Sequence, residues 1–309
     1  MSEELIGVLP LWKPRGITSF DAVQRARRFY KTKKAGHTGT LDPDVEGVLP
    51  ICIGKATKIV EYLTADKKVY AGEVTLGFST TTEDASGEVV DQKRVDREIT
   101  EEEVDRVLAS FEGELSQVPP MYSAIKVNGK KLYEYARAGL SVERPVRQIT
   151  IYSLTRTSDI RQEDGKLTFS YEVECSKGTY VRTLSVQIGE KLGYPAHMSD
   201  LVRLESGAFK KEDCFTLEQI EAKAEIGQER SLLLSVEHAL SRFPVITVSP
   251  ELEEKVRNGA IIDTPEEVNK LAGDFIALYN QNQECLALYK HDPKRAGMMK
   301  PEKMIRGLV

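Results

Sequence analysis

The stretch Lys34-Ala-Gly-His-Thr-Gly-Thr-Leu-Asp-Pro-Asp-Val-Glu-Gly-Val-Leu-Pro50 has the most unusual composition in this chain of 309 residues. Its three glycines let backbone or a bound molecule come close, and Pro43 fixes the chain directly after Asp42. Because the stretch shows almost no hydrophobic periodicity, we predict a long ordered loop from Lys31 to Pro50. Loops of this length inside a compact domain are usually functional.

Asp42 is the chemically suggestive residue of this loop, and the residues alone leave its role open. A rigidly held carboxylate can act as a nucleophile or a general base, whereas an isolated Asp-Pro pair is most often a plain turn. Asp42-Pro-Asp44 also has the Asp-x-Asp spacing of haloacid-dehalogenase-type phosphatases, in which Asp42 would be phosphorylated beside Mg²⁺. That motif needs a buried apolar strand directly before its first Asp, and residues 35–40 predict a poor strand.

Overall composition is that of an ordinary globular protein, with 40% hydrophobic and 29% charged residues. The first ten residues lack the basic start and the long apolar core of a signal peptide, and no stretch is apolar enough to predict a membrane span. The four cysteines lie far apart with no Cys-x-x-Cys pair, so we expect neither a disulfide framework nor a zinc site. We therefore expect a cytoplasmic protein without a metal.

The net charge and the local clusters of charge give opposite indications about nucleic-acid binding. A net charge of −5 argues against binding to nucleic acid, which usually requires a basic surface. The positive side chains nevertheless cluster, and we select Lys33, Lys34, Lys130 and Lys131 as candidate contacts to a phosphate backbone. A further basic group lies near the C-terminus and consists of Lys294, Arg295, Lys300, Lys303 and Arg306.

Periodicity predicts alternating types of element in the first part of the chain. Thr18-Ser19 should cap a helix to about Tyr30, with Phe20, Val23, Ala26 and Tyr30 on its buried face and the arginines pointing away. Further helices are predicted from Thr100 to about Phe111 and from Tyr180 to Leu192, and the strands at Val69–Gly77, Ile149–Leu154 and Leu167–Val173. Without a regular βαβ alternation, these elements favour an α+β domain.

The pattern changes near Phe243-Pro244. A strand is predicted at Val245–Val248, a short helix after Ser249-Pro250, and a β-hairpin from Phe275–Tyr279 and Cys285–Tyr289. We therefore expect one domain in residues 1–242 and a small, mostly β domain in residues 243–309.

Six further segments stand out beside the Lys34–Pro50 stretch. They are Lys13-Pro-Arg-Gly-Ile-Thr-Ser19, Gly54-Lys-Ala-Thr-Lys58, Lys68-Val-Tyr70-x-x-x-Val-x-Leu-Gly77, Gln117-Val-Pro-Pro-Met-Tyr-Ser-Ala-Ile-Lys126, Cys175-Ser-Lys-Gly-Thr-Tyr180-Val-Arg182 and Ala196-His-Met-Ser-Asp-Leu201-Val-Arg203-Leu. Together with the loop, these segments closely resemble the signature of the TruB family of tRNA pseudouridine synthases. The similarity covers about residues 5–215, and the segments occur in the family's order.

This resemblance implies a fold and an activity. The fold would be the pseudouridine synthase fold, an α+β domain with a mixed, largely antiparallel sheet flanked by helices, followed by a small β-rich PUA-like RNA-binding domain. The activity would be the isomerisation of uridine 55 in the T loop of tRNA to pseudouridine. The enzyme would use no cofactor, act as a monomer without a protein partner, and bind the T arm of tRNA away from any membrane.

The resemblance also implies roles for individual residues. Asp42 matches the catalytic aspartate, which adds to C1′ of the ribose, adds to C6 of the uracil or deprotonates the sugar. Arg182 matches an arginine that pairs with this aspartate, and such a pair would keep the carboxylate ionised. The catalytic group would be completed by Tyr70, which lies against the target base.

Other matched residues would hold the substrate. A uridine inside a tRNA loop must be flipped out before it reacts, and stacking on aromatic rings offsets part of the cost. His37 would support the flipped conformation, while Tyr180 and Leu201 would line the uracil pocket, with Tyr180 a candidate for the C5 proton step. A non-catalytic RNA-binding protein is the remaining alternative, and the presence of both Asp42 and Arg182 argues against it.

Overall fold

The computed structural model describes residues 5–270 and 275–306, which form two compact units. One unit holds the described residues up to Ala65 and those from Ser206 onward, and the other holds Asp66–Glu205. The helices are α1 Ser19–Phe29, α2 Val60–Thr64, α3 Glu101–Ala109, α4 Leu132–Arg137, α5 Val181–Leu192, α6 Leu217–Glu225, α7 Val236–Ala239 and α8 Pro250–Arg257.

Strands make up the rest of the regular structure. They are β1 Ile6–Lys13, β2 Ala35–His37, β3 Glu46–Gly54, β4 Lys68–Leu76, β5 Phe78–Thr80, β6 Val89–Gln92, β7 Gly113–Gln117, β8 Lys126–Val127, β9 Lys130–Lys131, β10 Arg147–Arg156, β11 Arg161–Glu163, β12 Lys166–Cys175, β13 Ala196–Ser206, β14 Phe209–Lys210, β15 Val245–Thr247, β16 Ile262–Asp263, β17 Ile276–Tyr279, β18 Cys285–His291 and β19 Met298–Met304. None of the helices in the described ranges is long and apolar enough to cross a membrane.

The unit of Asp66–Glu205 is built on strands in the order β13-β4-β12-β10-β7. The pairs β4–β12, β12–β10 and β10–β7 are all antiparallel, which confirms the predicted mixed, largely antiparallel sheet with helices. The alternation predicted for Leu167–Val173 is also confirmed, since the four residues at 167, 169, 171 and 173 are fully buried.

A tyrosine on β12 attaches the main helix of this unit to the sheet. Tyr171 lies opposite Gly72 of β4, and a Cβ at position 72 would come within 2.6 Å of the tyrosine ring. Only glycine leaves that space. The Tyr171 hydroxyl group exchanges a 2.8 Å hydrogen bond with Ser185 of α5. The sheet thereby fixes α5, which ends as predicted at Gly193 with a left-handed φ of 86°.

The other unit contains the stretch from Lys31 to Pro50, where the loop prediction is partly wrong. Residues 35–37 form β2 and residues 46–54 form β3, which pairs with both β1 and β2. Eight of the nine β3 residues are buried, so neither face is polar and no alternation marks the strand. Irregular backbone in this stretch is confined to residues 31–34 and 38–45, and Asp42 lies in the second of these loops.

Helix α1 has the predicted capping residue but a rotated buried face. Thr18 caps it, and Val23, Ala26 and Tyr30 are buried as predicted. The prediction that Phe20 lies on the same face is wrong, because Phe20 is 61% exposed. Ser19 takes the inward position instead because its hydroxyl group bonds to the Asp42 loop, so the next residue points to solvent.

The C-terminal segment forms a five-stranded sheet in the order β15-β17-β18-β19-β16, and its predicted hairpin is confirmed as β17–β18. Ser249 caps α8 as predicted. One hydrophobic core joins this segment to the N-terminal strands, since Ala277, Tyr279 and Leu288 pack in the same cluster as Val8 and Val48. A division into domains at residue 243 stays a prediction.

Candidate active site

The residue before Asp42 is held by a buried serine. The Ser19 hydroxyl group donates to the carbonyl oxygen of Leu41 at 3.0 Å and accepts from the Leu41 N–H at 2.8 Å. Ser19 is 2% exposed and Leu41 is 4% exposed, so water does not compete for these bonds. Leu41 is therefore fixed through both of its backbone groups.

The residue after Asp42 is held by a buried lysine. The Lys13 Nζ donates to the carbonyl oxygens of Pro14 and Ile17 at 2.8 Å each and to that of Pro43 at 3.2 Å. Pro43 also accepts from the N–H of Gly16 at 2.9 Å. Because a buried ammonium group is tolerated only when it is hydrogen-bonded, Lys13 fastens the loop rather than interacting with solvent. Asp42 is thus held from both sides.

His37 closes the other end of the loop as the last residue of β2, where it pairs with Ile51 of β3. Its Nδ1 accepts a hydrogen bond from the N–H of Gly39 at 3.3 Å. An accepting Nδ1 requires the proton of the neutral ring to be on Nε2. The ring is partly buried, as is Asp42.

Arg182 lies in the first turn of α5 and is 6% exposed. Its guanidinium group donates to the carbonyl oxygens of Thr82 and Tyr122, at 2.9 Å each, and lies 3.5 Å from a carboxylate oxygen of Asp84. The planar, multiple-donor guanidinium group is suited to such a fixed set of acceptors. Arg182 therefore belongs to a rigid cluster centred on the β5–β6 connection.

Asp84 is itself firmly held. One of its carboxylate oxygens accepts from the Thr82 hydroxyl group at 2.6 Å, from the Ser86 hydroxyl group at 2.6 Å and from the Ser86 N–H at 3.0 Å. The Thr80 hydroxyl group donates to the Asp84 carbonyl oxygen. Our sequence interpretation missed Asp84, although Thr82-x-Asp84-x-Ser86 has the composition of a side-chain-stabilised turn.

Tyr180 is the residue that precedes α5, and its backbone is held by one buried amide side chain. Gln117 accepts from the Tyr180 N–H at 2.7 Å and donates to its carbonyl oxygen at 3.1 Å. Tyr70 is partly buried on β4, opposite Val173 of β12. Leu201 is 7% exposed in β13.

Lys68 is a second buried lysine, two residues before Tyr70. Its Nζ donates to the carbonyl oxygen of Asp66 at 2.6 Å. Burial, reinforced by the positive charge of Arg203, lowers the pKa of Lys68 to about 8. Arg203 is 1% exposed, so two cations are buried in this part of the unit.

The candidate phosphate-binding lysines differ in their surroundings. Lys33, Lys34 and Lys130 are exposed. Lys131 lies 5.3 Å above the ring of Tyr133, and its Nζ donates to the Tyr133 hydroxyl group. One of the four side chains is therefore partly occupied by a cation–π contact.

The structure distributes the matched residues over the two units. His37 and Asp42 belong to one unit, and Tyr70, Tyr180, Arg182 and Leu201 belong to the other. The pairing of Asp42 with Arg182 stays a prediction. Within residues 5–270 and 275–306, no three His, Cys, Asp or Glu side chains are grouped as metal ligands.

Family models and curated relatives both match this chain, and they point to the same family. Residues 27–181 match the model of the TruB family pseudouridylate synthase N-terminal domain, and residues 182–241 match that of the tRNA pseudouridylate synthase B C-terminal domain. The chain is 55% identical over 302 residues to tRNA pseudouridine synthase B of Halalkalibacterium halodurans, covering 98% of both chains. It is 53% identical over 300 residues to the Bacillus subtilis protein of the same name, covering 97% of both.

Solved structures agree with the fold. The chain is similar to a structure of a Cbf5-Nop10-Gar1 complex with a TM-score of 0.72 and 27% identity, over 97% of this chain and 85% of the other. A structure of an H/ACA RNP bound to a substrate RNA containing 2'-deoxyuridine matches with a TM-score of 0.69 and 25% identity, over 97% and 84% of the chains. The chain belongs to the TruB family of pseudouridylate synthases.

Proposed function

We propose that this chain converts uridine 55 in the T loop of tRNA to pseudouridine and that Asp42 performs the covalent chemistry. The observation that carries the proposal is the arrangement of Ser19 and Lys13, which hold the backbone on both sides of Asp42. An aspartate whose neighbours in the chain are held this firmly meets the demand for precise orientation in nucleophilic catalysis. The family and its named relatives supply the substrate class.

The proposed reaction is an isomerisation without net oxidation. The bond from N1 of uracil to C1′ of ribose breaks, the base turns, and a bond from C5 to C1′ forms. The C5 proton is lost and N1 gains a proton, so all atoms balance. Asp42 carries out the first chemical step by adding to C1′, adding to C6 or deprotonating the sugar. In each case its side chain must be the ionised carboxylate before the reaction starts.

The remaining matched residues receive supporting roles. Arg182 pairs with Asp42 and keeps it ionised, Tyr70 lies against the flipped base, and Tyr180 accepts or relays the C5 proton. Leu201 closes the uracil pocket with apolar surface, and His37 supports the flipped RNA. In this scheme the chain acts as a cytoplasmic monomer that binds the T arm without a cofactor or a protein partner.

The position of β2 favours this function over phosphatase chemistry. The strand ends at His37, and residues 38–41 separate it from Asp42. A haloacid-dehalogenase-type site would need the strand to run directly into the aspartate. A pure binding protein, in turn, would have no use for an aspartate whose backbone is held on both sides.

The test is tritium release from tRNA labelled at C5 of uridine, because forming a C–C bond at that atom expels its hydrogen. The wild-type chain is expected to release one tritium per tRNA without added metal, and Asp42→Asn none while it still binds tRNA. Asp44→Asn, which changes the neighbouring carboxylate, is the matched control and should retain turnover. Turnover by Asp42→Asn above about a hundredth of the wild-type rate would reject the assignment of Asp42.

A further inference from the structure

The connection between β5 and β6, from Thr81 to Glu88, carries the carboxylate of Glu83 next to that of Asp84. The Glu83 backbone has a φ of 65°, a left-handed conformation that side chains other than glycine rarely adopt. Its N–H donates to the carbonyl oxygen of Thr80 at 3.2 Å, and its carbonyl oxygen accepts from the N–H of Met198 at 3.0 Å. Such a conformation persists only where the surroundings impose it, and it often marks a functional region.

The strained backbone directs the Glu83 side chain to the beginning of α5. The Thr183 hydroxyl group donates to the Glu83 carboxylate at 2.5 Å, and Thr183 is itself buried. Helix α5 has no acidic residue in its first turn and no side-chain cap of its own. Glu83 therefore supplies from another segment the negative charge that the helix dipole favours at this end.

The charges around Glu83 come from three places. Arg182 of α5 and Arg144, in the segment after α4, attract the carboxylate, whereas Glu190 of α5 repels it and Asp84 is its neighbour in the chain. Burial raises the pKa of Glu83, and the Thr183 hydrogen bond and Arg182 only partly oppose this effect. Keeping the charged form therefore reduces the stability of the folded state at neutral pH.

We propose that Glu83 is a positioning residue that acts on Arg182 through Thr183. Arg182 and Thr183 are adjacent in the first turn of α5, so a carboxylate that fixes Thr183 also fixes the point from which the guanidinium group extends. Thr82, whose carbonyl oxygen accepts from the guanidinium group, and Asp84, whose carboxylate pairs with it, are the chain neighbours of Glu83. Glu83 thus lies between two of the three partners of the guanidinium group and contacts the residue next to Arg182. The inference rests on the proposed function, in which Arg182 works at the active site.

The test compares Glu83→Gln, Thr183→Val and their double variant with Glu88→Gln. Glutamine keeps the size of the side chain and loses its charge, and valine keeps the shape of threonine without the hydroxyl group. Glu88 is an exposed glutamate of the same connection and serves as the matched control. Single-turnover rates at saturating tRNA, tRNA affinity and thermal stability are measured for each variant from pH 5 to pH 8.

Glu83→Gln is expected to slow the saturated rate at pH 8 by about tenfold, because a small misplacement of a positioned group has effects of this size. Affinity for tRNA should be unchanged, and the melting temperature at neutral pH should be equal or higher because a costly buried charge is removed. Thr183→Val should slow the rate similarly, and the double variant no further. Glu88→Gln should match wild type.

The pH profile separates positioning from a merely structural role. As the pH falls, wild-type Glu83 becomes protonated and loses its effect, so the ratio of the wild-type to the Glu83→Gln rate should approach one. Any effect of pH that is the same in both proteins cancels in this ratio. A ratio that does not change with pH, additive effects of the two substitutions, or a normal rate in Glu83→Gln would overturn the proposal.

A readout without turnover keeps the inference independent of the proposed function. The guanidinium N–H signals of Arg182, assigned by their loss in Arg182→Lys, should exchange slowly with solvent in wild type and faster in Glu83→Gln. If wild-type chain releases no tritium but this difference is observed, the proposed function fails and the positioning of Arg182 stands. If exchange is the same in both proteins, the positioning role is rejected whatever the activity.

Discussion

The Ser19 hydroxyl group bonds to both backbone groups of Leu41, and Leu41 directly precedes Asp42. This pair links the first helical residue of α1 to the loop that follows β2. The link explains why a serine occupies an inward position that a helix would otherwise give to an apolar residue. It also predicts that the chemistry depends on a residue that does not touch the substrate.

Ser19→Ala should therefore reduce turnover more than tRNA binding. It leaves the buried N–H and C=O of Leu41 without their partner, which costs about 1–3 kcal/mol of stability. The loosened loop should lower the saturated rate by about ten- to a hundredfold. Ser19→Cys, which keeps a weak donor and acceptor, should lie between Ala and wild type. Rates equal to wild type in a folded Ser19→Ala protein would show that the bond does not position Asp42.

Arg182→Met should nearly abolish turnover and also destabilise the fold. Removal of the guanidinium group deprives the carbonyl oxygens of Thr82 and Tyr122 of their donor and leaves Asp84 without this cation. Hydrogen bonds from a charged donor contribute about 1.5–3 kcal/mol each, so a clear drop in the urea midpoint is expected. Arg182→Lys keeps the charge and should recover stability better than activity, since an ammonium group cannot reproduce the fork of donors. Equal recovery of both would contradict a geometric role.

The part of the fold that sequence could predict is the part with a periodic signal. Strand β12 alternates because residues such as Phe169 face a core and their neighbours do not, so its limits were clear. Strands β1 and β3 are buried on both faces, so their residues do not alternate between apolar and polar. They also contain the opposed pair Pro10 and Pro50, and proline and glycine within an apolar run do not predict a strand. No local pattern distinguishes such a strand from a loop.

The candidate site divides in the same way. Asp42 and Arg182 could be found because they lie in long matched segments of sequence. Asp84 and Glu83 could not be assigned, because their importance arises from contacts with α5, about a hundred residues further along the chain. For Phe20 the helical periodicity predicted the helix correctly but the burial of this side chain wrongly. The spacing of residues does not reveal the hydrogen bond between Ser19 and Leu41 that brings Ser19 to the inner face.

Stability should increase as the pH rises from 8 toward 10. The folded state holds Lys68 at a pKa of about 8, whereas in the unfolded chain its pKa is near 10.5. Between these values the unfolded chain binds more protons, so the free energy of unfolding rises with pH, by at most about 3 kcal/mol for this group. Urea denaturation at pH 7.5 and pH 9.5 measures the change. Lys68→Met should have a flatter profile, and identical slopes in the two proteins would show that Lys68 does not titrate as stated.

The lysines of the β8–β9 hairpin should contribute unequally to RNA binding. Lys130 is exposed, while Lys131 packs on Tyr133. Lys130→Ala should flatten the dependence of log affinity on log salt by about 0.7–0.9 units if it contacts one phosphate. Lys131→Ala should change the slope less and should loosen the hairpin. An unchanged slope in Lys130→Ala would mean that this side chain remains in solvent when tRNA binds.

The C-terminal cations separate in the same manner, into those that hold the fold and those that face solvent. Lys303 donates to Glu61 at 2.8 Å, and Arg306 pairs with Glu237 and donates to the carbonyl oxygen of Cys285. Lys294 and Arg295, in contrast, lie exposed in the turn between β18 and β19.

Replacement of Lys294 and Arg295 by alanine should therefore raise the tRNA concentration needed for half-maximal rate and leave the saturated rate nearly unchanged, because contacts far from the reacting base supply uniform binding. Arg306→Ala is the matched control, which removes one cation of the same segment and should lower the melting temperature instead. Deletion of residues 244–309 would be a poor substitute, since it would expose the core that Ala277 and Leu288 share with Val8. If the double alanine variant binds tRNA as tightly as wild type at every salt concentration, this turn takes no part in binding.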